Sequence, residues 1–175
     1  MKTIFLTVVL LFSVQLAAAQ KSNAPGYRIS FAKRSVSVTF RQKTHRLDIY
    51  KNIDAARIVR AKILFAAQKA GFRYLVLDVS GWSKAKLDDR QCGAGTESNL
   101  LWIKLDTAWK IIEVQSERYE SCWASIEPDE GYSVKDGILT AEFMNFRDEL
   151  NTVLTYDPRT PEKGFRLEKS KFLKQ

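Results

Sequence analysis

Between residues 90 and 109 the chain reads RQCGAGTESNLLWIKLDTAW, and the polar half of that stretch holds the densest set of groups that could do chemistry. Gly93 and Gly95 permit positive φ or the close approach of a ligand to the backbone. Successive amides in such a turn can cup an anion. Thr96, Glu97, Ser98 and Asn99 follow with hydrogen-bonding side chains, and Asp88 and Asp89 precede. From Ser80 to Ser98 this makes a polar connection of about 18 residues, a length often given over to binding. The alternative is a stapled turn whose glycines serve geometry alone.

Tryptophan supplies the second chemical cue. Trp82, Trp109 and Trp123 fall near expected strand ends or turns, whereas Trp102 sits inside an apolar run and is expected in the core. An exposed indole can cover the face of a sugar ring while its N–H keeps a polar partner. Trp82 and Trp123, with Asp88, Asp89, Gly93, Gly95, Glu97 and Asn99, therefore form the expected ligand-binding set.

Catalytic patterns are weaker. Asp78, Asp89, Glu97, Glu120 and Glu142 could supply a glycosidase carboxylate pair, but sequence spacing says nothing about the separation on which that chemistry depends. Asp78 shares strand parity with Tyr74 and Val76, and a buried acid is a functional flag. No serine stands in a nucleophile elbow, and the single histidine, His45, lies in a strand-like segment. Asp88, Asp89 and Glu97 could offer calcium oxygens, but the EF-hand spacing is missing. Two cysteines and one histidine lack zinc spacing, and the glycines lack the lysine and helix of a phosphate loop. No metal and no cofactor are expected.

Cys92 and Cys122 are the only cysteines. In an oxidising compartment they are expected to pair, closing a loop of about 30 residues worth roughly 3–4 kcal/mol in the chain-entropy account. The compartment is suggested by MKTIFLTVVLLFSVQLAAAQ: a lysine, an apolar run and Ala17-Ala18-Ala19 have the form of a signal peptide over 1–19. The run is too short for a membrane span of about 20 apolar residues, so no transmembrane segment is expected, at most peripheral contact with an anionic surface. An exported protein, periplasmic or extracellular, would begin near Gln20 and form a single domain over 20–175. Losing Lys2 leaves 27 basic against 20 acidic residues, a net +7. The basic residues are scattered, as on a solvated surface. Nucleic acid is not an expected partner, since no recognition motif accompanies the charge. A cell-envelope glycan or protein is.

The elements that must position these groups read mainly with period two. SVSVTF, HRLDIY, YRISF and FRLEK alternate apolar and polar residues. YLVLDV and NLLWIKLD carry large side chains at both parities, as strands covered on both faces do. NLLWIKLD and KIIEVQSERYESC should form a hairpin with Cys122 at its far end and Cys92 just before its first strand. Asp136-Gly137 marks another hairpin with a type I′ turn. NIDAARIVRAKILFAAQKAG reads either as a helix capped by Asn52 and Gly71 or as a strand with Val59, Ala61, Ile63 and Phe65 on one face. The expected fold is all-β, a mostly antiparallel sandwich or meander/barrel of 9–11 strands; a helix near 53–70 would make it α+β. The expected function is a non-enzymatic exported binding module. The rivals are a small carboxylate-dependent hydrolase acting on envelope polymers and a purely structural envelope protein.

Overall fold

The computed structural model describes residues 24–84 and 95–172. The expected signal segment 1–19, Asp88, Asp89, Cys92 and Gly93 lie outside them. The strands are β1 (Tyr27–Ala32), β2 (Ser35–Phe40), β3 (Lys43–Leu47), β4 (Arg57–Lys69), β5 (Phe72–Trp82), β6 (Thr96–Leu105), β7 (Ile111–Ser121), β8 (Ile126–Lys135), β9 (Ile138–Asn145), β10 (Leu150–Tyr156) and β11 (Arg166–Lys171). They form two antiparallel sheets in a sandwich-like fold: β1–β2–β3, and an eight-stranded meander from β4 at one edge to β11 at the other. Among the described residues the only helical pieces are 3-10 turns at Tyr50–Asn52 and Pro161–Lys163.

Parity sorts the core into two slabs. Leu75, Leu77 and Val79 of β5 and Leu101, Ile103 and Leu105 of β6 join Ile29, Val36, Val38 and Leu47 of the small sheet. On the other face, Tyr74 and Val76 of β5 and Leu100 and Trp102 of β6 meet Leu139, Ala141, Phe143, Leu154 and Tyr156 from β9 and β10. β5 and β6 are thus covered on both sides, the reason their sequences are apolar at both parities. Trp102 is core, its Nε1 donating to the Pro161 carbonyl at 2.9 Å. The long sheet can supply both slabs because pairing almost stops between β7 and β8, where only Ser121 opposes Ile126.

The helix alternative for 53–70 gives way to β4, and the simple alternation expected there also needs correcting. Register shifts occur between Ile58 and Arg60 and between Ile63 and Phe65. Ala61 and Ile63 face the first slab, but Leu64 belongs to the second and Phe65 packs against it. Each bulge adds a residue and turns the following side chains to the other face, which blurs the period-two signal. The β8–β9 hairpin turns through Asp136 (φ 51°) and Gly137 (φ 78°), as the type I′ reading requires.

Candidate functional site

The central strands have two ends. At one, β5 finishes with Trp82 and β6 starts with Thr96; this is the loop end. At the other, the β2–β3, β4–β5 and β6–β7 turns gather; this is the turn end.

At the loop end, strand parity divides the expected ligand set. Trp82 is paired with Thr96 and is 37% exposed, with the Arg57 guanidinium carbon 6.0 Å from its ring centre. The same face carries Ser80, Ser98 and Glu120. The Glu120 carboxylate accepts from Thr96 Oγ1 (2.9 Å) and Ser98 Oγ (2.7 Å), and Ser98 shares a 2.9 Å hydrogen bond with Ser80. Arg60 Nη2 donates to Ser80 Oγ at 2.8 Å and lies 3.4 Å from Asp78 Oδ2.

Asp78 is fully buried on this face. Tyr119 and Tyr132 each donate a phenolic hydrogen bond to it, at 3.0 and 3.1 Å. Burial pushes its carboxyl above the usual range, against the pull of Arg60 and the two tyrosines. Burial, and then the Asp78 charge, push the Tyr132 phenol up to about 12 and raise Tyr119 as well. Tyr119 reaches Asp78 because the register slips from Ser98–Glu120 to Asn99–Arg118, leaving Tyr119 as the extra residue of a bulge.

Glu97 and Asn99 point to the opposite face and are buried. Ser83 Oγ donates to Glu97 Oε1 at 2.8 Å, the Trp123 amide lies 3.5 Å from the same oxygen, and Arg118 Nη1 stands 3.6 Å from Oε2. Arg118 also reaches Asp54 at 3.2 Å, and Lys84 bonds the other oxygen of that acid. The Lys84 hydrogen bond holds the Asp54 carboxyl below its ordinary value. Asn99 Nδ2, Arg118 Nε and Trp123 Nε1 are buried without an acceptor among the described residues. Trp123 is half-buried, and its carbonyl accepts from Arg147 at 2.7 Å. Of the expected set, then, Trp82 is exposed, while Glu97 and Asn99 are buried on the other side of the sheet and the Trp123 amide approaches Glu97 there.

Gly95 crosses close to Cys122. A Cβ at Gly95 would stand 2.6 Å from Cys122 Cβ and 3.0 Å from its Sγ, so only glycine fits without displacement. Its carbonyl accepts from the Ser83 amide at 3.0 Å, which ties the start of β6 to the end of β5.

The turn end holds groups the sequence reading passed over. Trp109, considered above for sugar stacking, is only 9% exposed. It has φ 67°, a left-handed conformation rare for a bulky residue. Its indole stacks on His45 with centroids 4.1 Å apart and planes 3° from parallel. Arg73 lies over both Phe40 and Trp109, at 5.2 and 5.3 Å from the ring centres. The signal that could have found this group is shared turn position: each member lies within a few residues of a hairpin turn.

No protein-family model matches the chain, nor does any curated protein or solved structure. The groups brought together by the fold therefore carry the functional argument.

Proposed function

We propose that this is an exported, non-enzymatic binding module that takes a cell-envelope glycan against Trp82. The observation that carries the reading is an exposed indole beside a carboxylate whose orientation is fixed. Trp82 offers an apolar face, and Arg57, Thr96 and Glu120 supply polar groups at its margin. A sugar needs both, a flat surface for its C–H face and hydrogen-bonding groups for its hydroxyls. Three of the candidate acids argue for binding over hydrolysis. Asp78 and Glu97 are shut away from solvent and engaged by internal donors, and Glu120 is held by two hydroxyls. A general acid must come within hydrogen-bond reach of its substrate.

A Cys92–Cys122 disulfide belongs to this reading. Gly95 touches Cys122 and stands three residues after Cys92, well within the reach of the chain. Such a link would fix the start of β6 and with it the surface beside Trp82. Export rests on the form of residues 1–19.

A glycan array probed with the mature protein, repeated with Trp82→Ala, tests the sugar reading. We expect discrete hits that weaken at least about tenfold in the variant, as loss of a stacking contact requires. Binding unchanged in Trp82→Ala would remove it. Turnover of an envelope polymer that disappears in Glu97→Gln would instead establish the hydrolase.

A further inference from the structure

The turn end gathers positive charge in clefts that no acid lines among the described residues. A cleft of about 300 Å³ is lined by Phe40, Arg41, Lys43, His45, Arg73 and Trp109, with Thr107 and Ala108 at its rim. Two neighbouring clefts share its walls. One uses Arg41 again with Arg28, and the other uses Arg73 and Thr107 again with Lys69. None of the three is lined by an aspartate or glutamate. Lys69 is paired with Glu162 at 2.6 Å. Arg28, Arg41, Lys43 and Arg73 have no ion pair among the described residues. Asp106 and Asp48, the acids close to this cluster in sequence, do not line the cleft. Asp106 Oδ1 accepts the Lys110 amide within its own turn, and Asp48 lines a separate cleft with Arg46 and Lys51.

Aromatic rings hold two of these cations, Arg41 and Arg73, in place without neutralising them. Arg73 rests over Phe40 and Trp109, and Arg41 lies 5.2 Å from the Phe40 ring centre. Arg73 Nε and Nη1 are buried with no acceptor among the described residues. A ring face orients a guanidinium but leaves its net charge intact. The His45 ring closes the same wall, stacked on Trp109. Like charges gathered this way repel one another, and a protein that maintains them at rest has a use for the field.

We propose that this cleft binds a phosphate or sulfate group carried by a soluble ligand, with Arg41, Lys43 and Arg73 as its cationic contacts. A tetrahedral oxyanion presents several acceptors and at least one full negative charge, matching cationic donors that converge from two separate hairpins, β2–β3 and β4–β5. The site is at the opposite end of the strands from Trp82 and does not depend on the glycan reading.

The test is a titration of the full mature chain with inorganic phosphate and, separately, inorganic sulfate, at ionic strength held constant with sodium chloride. Binding is read from backbone and arginine side-chain NMR shifts. We expect saturable shifts at 41–45, 107–109 and Arg73 for at least one of the two anions, and the tighter one identifies the group recognised. Arg73→Gln should weaken binding about tenfold, the size of one lost charge-assisted contact. Because Arg73 also packs on two rings, Lys43→Gln keeps the test independent of folding: Lys43 is exposed, and its loss should weaken binding several-fold. Lys171→Gln removes the same charge from exposed β11 and should leave the affinity unchanged. Shifts that fail to saturate with either anion would overturn the proposal. So would equal weakening in Lys43→Gln and Lys171→Gln.

Discussion

Arg118 and Lys84 at the loop end and Arg41, Lys43 and Arg73 at the turn end are chemically alike, yet among the described residues only the first group forms ion pairs. Asp54 bridges Lys84 and Arg118, and Arg118 also faces the buried Glu97. Arg41 and Arg73 rest on Phe40 and Trp109 instead, and Lys43 is exposed beside them. Paired charges in a partly buried setting hold a structure together, because removing one strands the other in a poor solvent for charge. Unpaired surface charges do no such work. Removing the exposed Arg41 or Lys43 charge should leave folding intact and change what the surface attracts, whereas Arg73 also packs on two rings. The same residue types therefore have different expected roles at the two ends.

The largest effect should come from the staple. Reducing a Cys92–Cys122 link should lower unfolding free energy by about 3–4 kcal/mol, measured by urea unfolding with and without reductant. Intact mass with and without alkylation reports the bond itself. Arg118→Gln should cost about 2–3 kcal/mol, below the range for a fully buried pair because Arg118 is partly exposed and Asp54 retains Lys84. Gly95→Ala should cost about 2 kcal/mol, since its Cβ must push Cys122 aside; thermal unfolding would show it. An equal loss at the turn end from removing the exposed Arg41 or Lys43 would erase the distinction between the ends.

A smaller effect concerns pH. Burial lowers the His45 pKa from 6.5, helped by the Arg73 and Lys43 charges, with Arg41 in the same cleft. The folded protein therefore takes up this proton less readily than the unfolded chain. As pH falls below 6.5 toward the lower folded value, the unfolded state binds the proton first and stability declines. His45→Gln should flatten that part of the stability profile and leave the neutral region nearly unchanged.

Much of the architecture is legible in the sequence, for identifiable reasons. The both-face apolar runs at 74–79 and 99–106 mark strands with a slab on each side, and Asp136-Gly137 marks its turn. β4 was ambiguous because two bulges break its alternation. The loop-end groups were legible as neighbours in sequence. However, consecutive strand residues face opposite ways, so Thr96 and Ser98 sit with Trp82 while Glu97 and Asn99 do not. The turn-end cluster was illegible for the converse reason. Arg41, Lys43, His45, Arg73 and Trp109 are spread over 69 positions, from 41 to 109, and look like the scattered charge of a solvated surface. Only antiparallel pairing collects them.

The contrast between the ends is tested most directly by urea unfolding of Lys43→Gln beside the wild-type protein at low and high salt. Lys43 has no ion pair among the described residues and no acid lines its cleft, so removing it relieves repulsion from Arg41 and Arg73. The account expects stability equal to wild type or higher by a few tenths of a kcal/mol, a gain that shrinks as salt screens the cluster. A loss of stability in Lys43→Gln that is largest at low salt would show that this charge is answered within the fold, and would contradict it.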